Sequence, residues 1–253
     1  MKRKPIFTVT LLCVMLFAPL SLFSQSSDFE IDGTTLVYYR GNAENVIIPK
    51  GVTAIGDRAF EFNRSLTSVT IPEGVTTIGD SAFEMCINLT SITIPESVTF
   101  IDNYAFVWCS SLTNITIPES VTYIGKGAFR TCARLTSVTI LSNITFIGDV
   151  TFLDCSSLTS VTIPSSIVSI GNGAFRECTS LTSITIPENV TSIGHSAFSG
   201  CTSLASVTIP ESIASIEDWA FWGCRNLRAV TVSRKTTIGN NAFPATTRIT
   251  YSD

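Results

Sequence analysis

The sequence predicts a β-rich solenoid, a right-handed superhelix of about nine 23-residue repeats with short parallel strands and single helical turns. Three columns of apolar residues recur at this interval. The phenylalanine column is Phe60, Phe83, Phe106, Phe129, Phe152, Phe175, Phe198 and Phe221, with Phe243 one residue early. The leucine column is Leu66, Leu89, Leu112, Leu135, Leu158, Leu181, Leu204 and Leu227. The cysteine column is Cys86, Cys109, Cys132, Cys155, Cys178, Cys201 and Cys224. A unit this short cannot enclose a core alone, so stacked units must share one.

Each element of the repeat can be seen in Leu89–Cys109, LTSITIPESVTFIDNYAFVWC. Ser91–Ile94 alternates polar and apolar residues, which predicts a short half-buried strand. Pro95 ends that strand because proline has no N–H to continue a ladder. A second extended piece over Val98–Ile101 turns its apolar residues inward. In Asn103–Cys109 the apolar residues have helix-like spacing, which predicts a single helical turn.

The chain begins with a stretch that predicts a secretory signal peptide at residues 1–24. Three basic residues (Lys2, Arg3 and Lys4) precede an apolar run over Ile6–Phe23, and small serines follow it. The alternative is an uncleaved membrane anchor, because the apolar run is close to the length that spans a bilayer. Behind the signal peptide we expect an N-terminal cap at 25–45, repeats at 46–243 and a C-terminal cap at 244–253. No later stretch predicts a membrane span.

Composition excludes several classes of function. The chain is 45% hydrophobic, only 14% charged and has a formal net charge of −4. A disordered chain has less apolar content, and a nucleic-acid-binding protein has a basic face, so we expect no nucleic-acid partner. A single histidine, His195, disfavours most zinc and histidine-base enzymes. Without a nucleophile elbow, phosphate loop or metal motif, the sequence predicts no enzyme, no cofactor and no metal site.

The repeat motifs resemble those of the BspA-like class of bacterial leucine-rich repeats. The matching motifs are Ile78-Gly79, Ala82-Phe83-x-x-Cys86, Cys86-x-x-Leu89 and Ile94-Pro95. The local departures are Leu141 and Ser233 at the proline, Asp102 and Glu217 at the glycine, Thr151 at the alanine, and Asn63 at the cysteine. The resemblance covers about residues 46–243 and implies a leucine-rich repeat solenoid. It also implies a secreted or cell-surface protein that adheres to host matrix proteins, such as fibronectin and fibrinogen, or to other cells.

The cysteine column allows three interpretations: disulfides, metal ligands or a structural ladder of buried thiols. Seven is an odd number, and the side chains of one column point the same way. A linear row also cannot supply a tetrahedral zinc site. We therefore expect a ladder of inert thiols inside the core.

Variation between repeats indicates where a partner binds, because binding residues vary on a fixed scaffold. Phe100, Tyr123 and Phe146 share one column and predict an aromatic stripe, and Met85 and Trp108 continue a second apolar row begun by Phe62. These five residues from Met85 to Phe146 are the predicted partner-binding residues. Alternatively, the rings only cover the turns of adjacent repeats.

The predicted function is a secreted or cell-surface protein-binding module that acts through the solenoid face. One alternative is a self-assembling structural protein that uses the stripe as a homo-oligomer interface. Another, weaker alternative is a carbohydrate- or ice-binding surface, suggested by the outward serines and threonines of the strands. Trp219 and Trp222 form a separate aromatic spot for which we expect a capping role, and His195 is expected to be solvated.

Overall fold

The computed structural model describes residues 27–253, so the predicted signal peptide lies outside the described residues. Residues 27–253 coil into a β-solenoid of about nine turns of 23 residues with parallel strands, which confirms the predicted fold class. Most strands pair with the equivalent strand of the next coil. Val69, for example, lies opposite Ile92, one repeat further along the chain.

Two rows of strands run along the solenoid. An antiparallel hairpin caps its start and consists of β1 (Phe29–Asp32) and β2 (Thr35–Tyr39). The first row consists of β3 (Asn45–Ile47), β5 (Ser68–Thr70), β7 (Ser91–Thr93), β9 (Asn114–Ile117), β11 (Ser137–Ile140), β13 (Ser160–Thr162), β15 (Ser183–Thr185), β17 (Ser206–Thr208), β19 (Ala229–Ser233) and β21 (Arg248–Ser252). The second row consists of β4 (Ala54–Ile55), β6 (Thr77–Ile78), β8 (Phe100–Ile101), β10 (Tyr123–Ile124), β12 (Phe146–Ile147), β14 (Ser169–Ile170), β16 (Ser192–Ile193), β18 (Ser215–Ile216) and β20 (Thr237–Ile238).

Backbone pairing interrupts both rows. The first row divides into the sheets β3-β5-β7, β9-β11-β13, β15-β17 and β19-β21. The second row continues from the cap to β10 and resumes at β12, without pairing between those two strands.

Proline limits the length of the first-row strands, as expected. The three-residue strand β7 is followed by Ile94 and Pro95. Where Leu141 replaces proline, its N–H donates to the carbonyl of Ile117 at 2.9 Å. Strand β11 accordingly includes Ile140, which pairs with Ile117. A single N–H therefore extends the ladder by one residue.

The predicted helical turns are wrong for residues 27–253, which contain turns in their place and no helix. In each turn some N–H groups bond within the repeat, as from Cys86 to the carbonyl of Phe83 at 3.1 Å. Others bond to the next coil, as from Phe83 to the carbonyl of Ala105 at 2.8 Å. Ser81 and Met85 have φ of 53° and 55°. Left-handed residues cannot continue a right-handed helix, so hydrogen bonds between coils replace the helical ones.

The core is a continuous stack of phenylalanine rings. Nine rings from Phe60 to Phe243 follow one another with centroids 4.9–5.6 Å apart and planes within 13° of parallel. Tyr39 and Phe29 of the cap continue the stack at 5.2 and 4.9 Å. Since each ring is covered by its neighbours, the cap protects the first repeat from water.

Candidate functional site

The aromatic stripe, defined as Phe100, Tyr123 and Phe146, lies on the outer side of the second row of strands. Each ring begins a two-residue strand, and the isoleucine that follows is buried. Because successive side chains of a strand point to opposite faces, the rings point outward. Phe100 and Tyr123 are half-buried, and Phe146 is 38% exposed.

The three rings of the stripe support one another. Phe100 and Tyr123 lie opposite each other in paired strands, with centroids 4.6 Å apart and planes at 11°. Tyr123 and Phe146 meet edge to face at 6.0 Å and 68°, at the point where the second row is interrupted. The stripe therefore presents two stacked rings and one tilted ring, whose contacts restrict their rotamers before any partner binds.

The turn row, defined as Phe62, Met85 and Trp108, occupies left-handed backbone positions with φ of 59°, 55° and 61°. Gly200 and Gly223 occupy the same column in later repeats, with φ of 76° and 77°. A side chain in this conformation costs about 1–2 kcal/mol, which glycine avoids. Phe62 is nevertheless 53% exposed and Trp108 45% exposed. Thr131, Asp154 and Glu177 of the same column also have φ of 58–60°, so the left-handed turn belongs to the repeat and presents the side chains of the turn row at the surface.

Two unpaired polar atoms lie in the repeat after Trp108. The backbone N–H of Trp108 donates to the backbone carbonyl of Arg130 at 2.9 Å, and Thr131 follows Arg130 in the sequence. The Arg130 Nε and the Thr131 Oγ1 are buried and have no hydrogen-bond partner within residues 27–253.

Within residues 27–253, no ring contact connects Trp108 with the stripe, so the two rows lie on separate parts of each coil. The left-handed backbone of the turn row was missed from sequence, although the two glycines in its column signal it.

The thiol ladder, defined as the seven cysteines from Cys86 to Cys224, lies inside the core, and every one of its thiols is free and buried. Each Sγ donates to the carbonyl of the phenylalanine 26 residues earlier, at 3.1–3.3 Å. Burial raises the pKa of Cys86 and of Cys132 to about 12. Asn63 heads the same column and uses its amide to donate to the carbonyl of Gly41 at 3.0 Å.

With this geometry established, comparison with known proteins identifies the family. The family model described as "BspA type Leucine rich repeat region (6 copies)" matches residues 34–159 and 146–252. The chain belongs to the BspA-type leucine-rich repeat family. No curated protein matches the chain.

Two solved leucine-rich repeat proteins have a similar fold. A leucine-rich repeat protein from Bacteroides ovatus is 29% identical, with a TM-score of 0.62 over 85% of this chain and 67% of that chain. A leucine-rich repeat protein from T. pallidum is 28% identical, with a TM-score of 0.58 over 80% of this chain and 89% of that chain. Solenoids of stacked repeats typically present extended binding surfaces.

His195 is exposed, as expected, whereas the two C-terminal tryptophans lie away from the end that they were expected to cap. The backbone N–H of His195 donates to the Oδ1 of Asn172 at 2.9 Å. Its imidazole meets the Trp219 ring edge to face, with the ring centroids 5.1 Å apart. Trp219 and Trp222 are 42% and 56% exposed and line a surface cleft with His195. They lie on the turn side of this BspA-type solenoid, whereas β21 pairs with β19 at the C-terminal end.

Residues 27–253 contain neither a membrane-spanning helix nor a cluster of metal-ligating side chains. Nowhere in this range is there a helix with the length and apolar character needed to cross a bilayer. No group of three or more His, Cys, Asp or Glu side chains in the same range is arranged to hold a metal ion.

Proposed function

We propose that this BspA-type chain is a secreted or cell-surface protein-binding module that adheres to host matrix proteins or to other cells through the solenoid face. The observation that carries the proposal is the exposure of large apolar side chains in the aromatic stripe and the turn row. Exposed aromatic rows on a rigid scaffold are typical of protein contacts. The role is binding rather than catalysis, since the outer columns repeat one polar pattern without a nucleophile and base.

The energy available from these rings is large enough for specific binding. Phe62, Trp108 and Phe146 are 53%, 45% and 38% exposed. An aromatic side chain that buries this share of its surface in a partner contributes about 2 kcal/mol. The stacked pair Phe100 and Tyr123 already has restricted rotamers, so less conformational entropy is lost on binding.

The proposed extracellular location rests on the predicted signal peptide at residues 1–24. An adhesin must be exported, and the three basic residues followed by an apolar run are the feature that directs export. Fusion of residues 1–24 to a reporter enzyme tests this, with a fusion that begins at residue 27 as the matched control. Export of the first fusion alone supports the location, and retention of both contradicts it.

The binding test replaces Phe100, Tyr123 and Phe146 together with serine. Ser169, Ser192 and Ser215 already occupy this column in strands β14, β16 and β18, so the variant should fold. We expect its affinity for immobilised fibronectin or fibrinogen to fall at least tenfold in surface plasmon resonance.

The matched control for this test is Val168→Thr, which alters a side chain that is 43% exposed outside both rows. Its affinity should equal that of the unaltered protein. Equal affinity of the triple-serine variant, with an intact circular dichroism spectrum, would refute binding through the stripe.

Self-assembly is the alternative that the same surface supports, because a second copy of the chain could cover the stripe. Multi-angle light scattering of the unaltered protein and the triple-serine variant separates the two functions. A dimer that dissociates in the variant, without any change in matrix binding, indicates assembly. A monomer in both samples leaves the stripe as a surface for other proteins.

A further inference from the structure

A cleft of about 420 Å³ lies on the turn side of the solenoid, away from the aromatic stripe and the turn row. Its lining, here called the tryptophan cleft, is Arg176, His195, Ser196, Ser199, Trp219 and Trp222. These residues come from three successive coils and occupy equivalent positions in them. The cleft therefore exists because neighbouring repeats differ at these positions.

The floor of the cleft is formed by the middle coil, where the outward residues are small. Ser196 and Ser199 are only 9% and 5% exposed. Within residues 27–253 neither hydroxyl forms a side-chain hydrogen bond. Neither hydroxyl oxygen is enclosed without a partner, in contrast to those of Thr131 and Ser142, so both remain accessible from the cleft for a hydrogen bond to a ligand.

The walls of the cleft are of different chemistry. Trp219 and Trp222 form one wall, and Arg176 stands one coil beyond the serines on the other side. Backbone hydrogen bonds connect the coils, as from Gly173 to the carbonyl of His195 at 2.9 Å. Hydrogen-bonded coils lie about 4.8 Å apart, so the backbones that carry the two walls are about 10 Å apart. The cleft volume of about 420 Å³ accommodates one sugar ring.

Trp219 occupies a left-handed backbone position, and its indole lies at the surface. Trp219 has a φ of 57°, in a column where Gly127 and Gly173 have φ of 63° and 59°. Tyr104 and Val150 of the same column also have positive φ, of 54° and 50°, so this backbone belongs to the repeat and leaves the Trp219 side chain 42% exposed. Trp222 stands beside it and is the most exposed large hydrophobic residue of the described chain, at 56%.

The lining of the cleft contains one cationic side chain that can pair with an anionic group. Arg176 is the charged residue of the lining, and it forms no ion pair within residues 27–253. Three carboxylates lie close to the cleft: Glu217, whose Oε2 accepts the backbone N–H of His195 at 3.0 Å, Asp218, whose Oδ1 accepts the backbone N–H of Asn240 at 2.6 Å, and Glu177, which lies against Gly200. A guanidinium that forms no ion pair and lines the same cleft as two indoles can pair with a carboxylate on the ligand.

We propose that the tryptophan cleft binds a carboxylated pyranose, such as a sialic acid or a uronic acid, on a glycan. The C–H face of the sugar stacks on the negative face of an indole, and the serine hydroxyls bond to the sugar hydroxyls. The sugar carboxylate pairs with Arg176. This site is separate from the protein-binding surface proposed above and does not depend on it.

The test is a titration of tryptophan fluorescence with four small probes at constant ionic strength. Two carry the proposed chemistry: the methyl glycoside of N-acetylneuraminic acid and methyl β-glucuronide. Methyl β-glucoside lacks the carboxylate, and N-acetylglycine lacks the ring. We expect saturable binding of at least one acidic sugar, about tenfold tighter than that of the glucoside or of N-acetylglycine.

Three variants locate the binding. Trp222→Ala should abolish sugar binding, while Arg176→Gln should remove only the preference for the acidic sugars. Trp108→Ala alters an exposed tryptophan outside the cleft and should leave binding unchanged. Near-ultraviolet circular dichroism checks that each variant is folded, and saturation-transfer NMR repeats the measurement without relying on a tryptophan signal.

Three results overturn the proposal. They are the absence of saturable binding by both acidic sugars, unchanged binding by folded Trp222→Ala, and equal affinity for the acidic sugars and either control probe. The triple-serine variant of the stripe should retain sugar binding. Loss of matrix binding and loss of sugar binding are therefore distinguishable.

Discussion

Raising the pH should destabilise this protein through its buried thiols, although all the thiols lie out of contact with solvent. Burial raises the pKa of Cys86 and of Cys132 from 9.0 to about 12. In the folded state these thiols remain protonated between pH 9 and pH 12, whereas in the unfolded chain they ionise from pH 9. The unfolded state therefore binds fewer protons in this range, and the free energy of unfolding falls as the pH rises.

The size of the effect follows from the two pKa values. Each such thiol contributes its stabilisation in full below pH 9 and loses about 1.36 kcal/mol per pH unit above it, until the folded pKa is reached. At pH 10 the loss is about 1.4 kcal/mol per thiol. Cys86 and Cys132 together lose about 3 kcal/mol, a large share of the 5–15 kcal/mol that stabilises a typical domain. Burial also raises the pKa of Cys109, Cys155 and Cys178, which adds to the loss.

Urea unfolding followed by circular dichroism at pH 8, 9 and 10, with a reductant present, measures this loss. The matched variant is Cys132→Ser, which keeps a hydrogen-bond donor near the carbonyl of Phe106 but has no group that ionises below pH 12. Its stability should fall between pH 8 and pH 10 by about 1.4 kcal/mol less than that of the unaltered protein. A free energy of unfolding that is constant from pH 8 to pH 10, or equal losses in both proteins, would refute the reasoning.

Two further predictions concern packing and backbone strain. Phe106→Ala should cost about 3–5 kcal/mol because it opens a cavity in the ring stack, whereas Trp108→Gly in the same repeat should change stability by about 1 kcal/mol or less, since relief of left-handed strain offsets lost contacts. Urea unfolding measures both, and an equal loss in the two variants contradicts the assignment of strain. Gly125→Ala should cost about 1–3 kcal/mol because its Cβ would lie 2.5 Å from the carbonyl carbon of Asp102. Gly148→Ala in the same column, where the nearest atom would be a side-chain oxygen at 3.3 Å, should lower the thermal midpoint of unfolding less than Gly125→Ala does. The reverse order of the two midpoints would contradict the argument.

Much of the fold could be predicted because one pattern is written many times. The alternation in Ser91–Ile94 predicted a strand, and β7 occupies Ser91–Thr93. The effect of proline was also predictable, since a missing N–H acts locally. The turn over Asn103–Cys109 was predicted as helical from its apolar spacing, but the same spacing serves a turn with two left-handed residues, Tyr104 and Trp108. Spacing alone does not distinguish the two, because the choice depends on hydrogen bonds to the next coil.

The candidate sites divide in the same way. The aromatic stripe could be placed from sequence, because three residues in one column of a strand must lie side by side. The tryptophan cleft could not be placed from sequence. It depends on a cation in one coil (Arg176), a small residue in the next (Ser199) and a large residue in the third (Trp222). Trp222 and Arg176 are 46 positions apart in the sequence and share a cleft only because each coil advances the chain by one hydrogen-bonded step.

The sequence by itself determined the repeat length, the strands, the columns that face the core and the membership of the cysteines in one ladder. These features follow from periodicity, which forces equivalent residues into equivalent positions. Only the tertiary structure decided the left-handed conformation of the turns and the exposure of Phe62, Trp108 and Phe146. It also decided that Arg176 lines the same cleft as two tryptophans. Those features depend on how each coil meets its neighbours, because hydrogen bonds and contacts between coils select the backbone conformation and the groups that remain at the surface.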